Sequence, residues 1–259
     1  NLAKSTIQKG KKYMETKNYT GNGGTLSVTG LDFSPDWVWC KKRNGTTNHL
    51  VFDIVRGINR SMNSNGAGSE DTSSTNKLTS FNSDGFTMGG NSSMNQSGGS
   101  YVSWNWDAGS STVTNNNGSI SSQVRALPEA GFSIVTYSGN GSAGATVGHG
   151  LGVAPASIII KCRSNNDNWM VYHQQMNNGS SPEDFYMELN ESDAKKDDPR
   201  MMNDTAPTST VFSLKNDGST NSSGRTYVAY CFAEIAGYSK FGMYKGTGGN
   251  AANACVLCA

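Results

Sequence analysis

The sequence is poor in charge, in proline, in histidine and in long apolar runs. Only 16% of its 259 residues are charged, against the ~25% of ordinary soluble proteins. Lys plus Arg is 21 and Asp plus Glu is 20, leaving a formal net charge of +1. That balance gives no global field to hold nucleic acid or an anionic membrane, so neither is expected as a partner. No stretch approaches the ~20 apolar residues of a membrane span; the longest patches, such as Ala156–Cys162, have strand length. No secretory signal opens the chain, and residue 1 is Asn rather than Met, which suits a segment or a processed product. Five cysteines, an odd number, argue against a complete set of internal disulfides. Cys255 and Cys258 form a lone CxxC without the further ligands a zinc site needs, and read as reduced thiols.

Catalytic signatures are also missing. There is no GxSxG elbow, no Walker loop and no dinucleotide fingerprint after a strand. His49, His149 and His173 are the three histidines, and none has metal-ligand spacing. Carboxylates crowd at Glu183, Asp184, Glu188, Glu191, Asp193, Asp197 and Asp198, but Lys195, Lys196 and Arg200 share that stretch. It reads as a solvated charged loop rather than the opposed carboxyl pair of a glycosidase. No catalytic residue, bound metal or cofactor is expected. Structural calcium is the one alternative left open, because the Asp and Asn oxygens in Asn165–Asn168 and Lys215–Asn221 are of the type calcium takes from loops.

What the chain does have is glycine, 31 residues against 6 prolines, and repetition. "YTGNG" at Tyr19–Gly23 returns as "YSGNG" at Tyr137–Gly141 and as "YKGTG" at Tyr244–Gly248. Pro35–Asp53 aligns without a gap on Pro155–His173, and Phe86–Trp106 aligns on Phe212–Phe232. Two blocks in the same order predict a duplicated unit on the order of 110 residues, the size of one small domain. The expected division is a basic amino-terminal segment, residues 1–17, helical in character, then units at 18–130 and 131–240. Residues 241–259 would open an incomplete third unit, continued beyond Ala259 or completed by another chain. Short β-branched and aromatic runs such as "HLVFDIV", "YVSWNWD" and "FSIVTYS" alternate with Gly/Asn/Ser turns. They predict an all-β chain of two tandem antiparallel β-sandwiches, jelly-roll or lectin-like. The pentapeptide itself reads as a strand-exit turn, its glycines taking positive φ at little cost. Ser181–Lys196 fits either a short capped helix or a strand "FYMEL" followed by a loop.

Five tryptophans stand out in so polar a chain. Trp37 and Trp39 share one face of a strand, as do Trp104 and Trp106. Ile159 and Phe232 replace Trp39 and Trp106 in the second unit, which assigns those two to the core. Trp37 is replaced by Ser157, so it is expected at the rim, partly exposed, and is the one candidate ligand-binding residue, since an exposed ring offers an apolar face for stacking.

Taken together, "SVTGLDFSPDWVWCKKRN…HLVFDIVRG", "SFNSDGFTMGG…YVSWNWDAG" and "YVAYCFAEIAGYSKFGMYKGTG" resemble repeat domains in structural proteins of marine bacteriophages, those of cyanobacterial and pelagic bacterial hosts in particular. The resemblance covers nearly all of Tyr19–Gly248. It implies a virion location and a fibre or surface role, and it supplies no catalytic residues. The expectation is therefore a tail fibre or other host-facing appendage. Its partners would be other virion proteins, copies of itself in a homotrimer, and a host glycan or envelope protein. Capsid decoration without receptor binding is the alternative, and a glycan depolymerase the second.

Overall fold

The computed structural model describes residues 10–244. Its β-branched and aromatic runs all become strands, because alternating side chains can then pack on both faces of a sheet. The first half contains β1 (Met14–Thr20), β2 (Leu26–Val28), β3 (Trp37–Lys42), β4 (Leu50–Asp53), β5 (Met62–Asn63), β6 (Leu78–Asn82), β7 (Gly85–Met88) and β8 (Ser100–Trp106). A linking hairpin follows, β9 (Thr112–Asn115) and β10 (Ser122–Leu127). The second half contains β11 (Phe132–Ser138), β12 (Ala145–Gly148), β13 (Ser157–Cys162), β14 (Met170–His173), β15 (Phe185–Glu188), β16 (Lys196–Asp197), β17 (Val211–Leu214) and β18 (Thr226–Phe232).

The chain is all-β, and the strand pairs in its sheets are antiparallel. The first half forms a five-stranded sheet, β1-β8-β3-β4-β5, and a three-stranded sheet, β2-β7-β6. The second forms an eight-stranded sheet, β16-β15-β14-β13-β18-β11-β10-β9, and a two-stranded sheet, β12-β17. Read from β1 and from β11, the two large sheets run in the same order. Each packs one face on its small sheet, as a sandwich does. Val38, Cys40, Phe52, Phe86 and Met88 fill that space in the first half; Ile158, Ile160, Val147, Phe212 and Leu214 fill it in the second. A third core joins the other faces of the two large sheets, with Trp37, Val51 and Met62 from one and Phe132, Ile134, Val228 and Tyr230 from the other. The sheets therefore lie in four layers, and the two inner ones are buried on both faces.

The pentapeptide is a turn built twice in the same way. Tyr19 stacks on Tyr101 with ring centroids 5.1 Å apart, and Tyr137 stacks on Tyr227 at 5.2 Å. Tyr101 Oη donates to Ser92 O and accepts from Gln96 N–H; Tyr227 Oη donates to Gly218 O and accepts from Ser222 N–H. The Asn22 N–H donates to the buried Asn95 side chain at 2.8 Å, and the Asn140 N–H to that of Asn221 at 2.9 Å. A Cβ on Gly21 would stand 2.2 Å from Gln96 O, and one on Gly139 2.4 Å from Ser222 O. Gly23 and Gly141 sit at φ 75° and 74°. Glycine is required by close approach at one position and by handedness at the other.

Several expectations need correction. Within residues 1–17, Gly10–Lys12 is a 3-10 turn and Met14 begins a strand rather than a helix. Pairing with β8 along all seven residues of β1, and the Tyr19–Tyr101 stack, outweigh the weak helical pattern. Residues 1–9 lie outside the described residues. Of the two alternatives for Ser181–Lys196 the strand is the one found: a 3-10 turn, Pro182–Asp184, leads into β15, and the capped helix does not form. The hairpin at 112–127, expected within the first unit, is hydrogen-bonded to β11 of the second sheet. Of the expected third unit, Phe241–Tyr244 forms no strand, and 245–259, including the rest of "YKGTG" and the CxxC, lies outside the described residues.

Candidate functional site

Strand parity put Trp37 beside Trp39, and the two rings do lie 5.7 Å apart. The rim position does not hold: Trp37 is only 2% exposed. Its ring packs 4.5 Å from Trp106, 4.7 Å from Tyr230 and 5.5 Å from Phe132. The face that would meet solvent in a lone sandwich is here covered by the second sheet, so Trp37 cannot serve as an exposed stacking platform. Trp39 and Trp106, assigned to the core, are half-buried at the edges of the same layer. Trp169 is buried too, stacked on Tyr230, with its Nε1–H donating to Asn63 O at 2.8 Å.

Beside this aromatic layer lies an ionic cluster joining the halves. Glu70, from the loop after β5, accepts from Arg56 at 3.0 Å, Arg60 at 3.2 Å and Arg163 at 2.9 Å. Burial alone would raise the Glu70 pKa, but Arg163 and Arg56 overcome it and hold the carboxyl below its ordinary value. Asp53 is fully buried; it is ion-paired with Arg56 and accepts from Tyr230 Oη at 2.7 Å. Lys161 is buried without a carboxylate partner among its hydrogen bonds, and donates to Ala67 O, Cys162 O and Asn165 O. Its burial lowers the ammonium pKa to about 8. Asp36 closes the other side, with Arg125 of β10 at 2.9 Å and the Ala108 N–H at 2.8 Å. Sequence reasoning missed this cluster, because the contacts that complete it, Arg163 to Glu70, Tyr230 to Asp53 and Lys161 to Ala67, cross from one half to the other.

The remaining sequence candidates are held in structural contacts. His149 is buried; its Nδ1 accepts from Leu151 N–H, which leaves Nε2 to donate to Thr208 O, and burial lowers its pKa. The pKa values of His49 and His173 are lowered by burial as well. Asp53 and His173, aligned by the repeat, sit in unlike places: Asp53 meets Arg56, while the His173 ring packs near Phe241. In the carboxylate-rich stretch Lys196 bridges Glu188 and Asp193, Arg200 pairs with Asp198, and Lys195 lies 3.7 Å over the Phe185 ring. Asp167 is paired with Arg225 at 3.0 Å, and Asp217 accepts from the Ser219 N–H. Of the oxygens considered for calcium, that of Asp167 is thus held in an ion pair and that of Asp217 in a turn; among the described residues no group of three or more His, Cys, Asp or Glu is placed to hold a metal. The three described cysteines, Cys40, Cys162 and Cys231, are free and buried.

An open groove of about 560 Å³ remains at one end of the aromatic layer. Trp106, Phe132, Ile159, Phe232 and Phe241 form its apolar walls, and Ser157, Tyr238 and Ser239 add polar edges. Segments 10–14 and 237–241 flank it, tied together by the edge-on contact of Tyr13 and Tyr238 at 6.1 Å. Such a groove can take the flat apolar face of a ring or side chain. No sequence signal marked it, since it exists only because the two sheets face each other. Neither a curated protein nor a solved structure matches the chain. A family match spans residues 9–259, and the chain belongs to the family described as "Domain of unknown function (DUF7483)".

Proposed function

We propose that this protein is a bacteriophage virion component, a tail fibre or other host-facing appendage, that attaches to a glycan or envelope protein on the host surface. It works by rigid display rather than by catalysis. The observation that carries this reading is the double burial of the two inner sheets around the Trp37 layer. A frame buried on both faces resists bending and holds its loops in fixed relation. Those loops are exposed and rich in Asn, Ser, Thr and Gly, as in Asn44–Thr46 and Asn116–Ser119. Loops on a stiff scaffold are where recognition is commonly placed. The apolar groove beside Trp106 is the candidate contact for a sugar ring. Repetition within a chain, and a homotrimer of chains, would raise avidity.

Purified protein added to host cells tests the reading. It should adsorb and compete with phage for attachment, and Phe241→Ala at the groove should weaken both. Protein that neither adsorbs nor competes overturns the attachment role. Imaging of intact particles that places the chain on the capsid lattice would favour decoration instead.

A further inference from the structure

We propose that the outer edge of β1 accepts a strand from a second copy of this chain, and that the strand is β9. The argument starts from two strands in equivalent positions. β11 is paired on both sides, by β18 and by β10. β1 takes the same place in the first sheet, next to β8, yet among the described residues it has no strand on its other side. The bonds Gly21 N–H to Gly99 O and Asp107 N–H to Tyr13 O show which residues of β1 face β8. In an antiparallel ladder that assignment alternates, so the amides of Thr16 and Asn18 point to the open edge. Their counterparts in β11 are Ile134 and Thr136, which face Arg125 and Gln123 of β10.

A donor edge exists in the same molecule. β9 ends the eight-stranded sheet and pairs only with β10. By the same alternation Thr112 and Thr114 carry its outward amides. The strand reads "TVTN", its first three residues are exposed, and Val113 is 55% exposed. Edge strands are normally guarded by Lys, Pro or a bulge; β9 has none of the three. On β1, Lys17 is drawn back onto Glu15 at 2.9 Å and Gly30 O at 2.7 Å, which cancels its charge along the strand. Thr16, Asn18 and Thr20, all exposed, are neutral. Two unguarded, uncharged edges on different surfaces of one chain pair head to tail, a contact that either closes into a ring or grows into a filament. This specifies the self-association in the reading above, and a mass measurement tests it without any host cell.

The test is the solution mass of the full chain by light scattering after gel filtration, at the highest soluble concentration. The unmodified protein should run at two or more times the 27.5 kDa protomer mass. Asn18→Pro and Thr114→Pro each remove one outward amide that the chain's own sheets do not use. Each alone should give the protomer mass. Mixed, they should give a dimer, because Asn18→Pro keeps a sound β9 and Thr114→Pro a sound β1. Far-UV circular dichroism checks the fold, and Asn18→Lys with Thr114→Lys repeats the test without proline. A protomer mass for the unmodified protein, a multiple that the edge substitutions leave unchanged, or a mixture without dimer would overturn the proposal.

Discussion

The two halves agree in their tyrosine turns and differ in the bulky residues where each meets the other. The tyrosine turns share their main hydrogen bonds: Tyr19 with Tyr137, Tyr101 with Tyr227, Asn95 with Asn221. Every partner in those turns lies within one half, so the same residues satisfy the same geometry twice. The facing sides of the large sheets keep Val51 with Val171 and Val102 with Val228, but differ at their bulkiest positions. Trp37, Trp39 and Trp104 stand where the second half has Ser157, Ile159 and Tyr230. Across this close-packed layer the Trp37 ring lies against Tyr230 and Phe132, whereas its counterpart Ser157 is small. The bulk of the shared layer is thus supplied unequally by the two halves, while the turns are supplied alike.

That contrast is most easily broken at its bulkiest point. Trp37→Ala empties the centre of the shared layer and should cost about 3–5 kcal/mol in urea titration, whereas its counterpart Ser157→Ala should cost only about 1 kcal/mol, for the lost bond to Tyr172 O. Tyr230→Phe comes next. It removes the hydroxyl held by Asp53 and should cost about 1.5–3 kcal/mol, as a hydrogen bond to a charged group does. Within the turns, Tyr101→Phe and Tyr227→Phe should each cost about 1–2 kcal/mol and should match one another within error. Unequal losses would break the claim that the turns are the same device.

Acid sharpens the contrast further. The pKa values of Glu70 and Asp71 are both lowered, Asp71 to about 2 by its bond to Lys77 and Glu70 by its arginines against the effect of burial. The unfolded chain takes up these protons first as pH falls, so their stabilisation is present above about pH 4.5 and is lost below it. Glu70→Gln should flatten that loss in an acid denaturation curve. The smallest effect belongs to Lys195→Ala at the surface, within about 0.5 kcal/mol, because an exposed cation over a ring contributes little.

Much of this architecture was legible in the residues. Period-two runs mark the strands, and the spacing of Tyr19–Gly23 and Tyr137–Gly141 marks the equivalent turns. Parity also places Trp37 and Trp39 on one face. What parity cannot state is whether that face is covered, and so Trp37 was expected at a rim when it sits in a core. Met14–Thr20 was hidden for a related reason: its strand character comes from β8, some ninety residues away in sequence. The groove and the Glu70 cluster were equally invisible, since each is completed only by residues of the other half, Arg163 and Tyr230 in the case of the cluster. Only the contact between the halves assembles them.

The central claim is that the aromatic layer makes the two halves one rigid body. Urea unfolding followed in parallel by tryptophan fluorescence, which reports chiefly on the layer, and by far-UV circular dichroism, which reports on all four sheets, tests it directly. The account predicts one transition with the same midpoint by both probes. Two separated transitions, with the tryptophan signal lost while half the sheet signal persists, would contradict it.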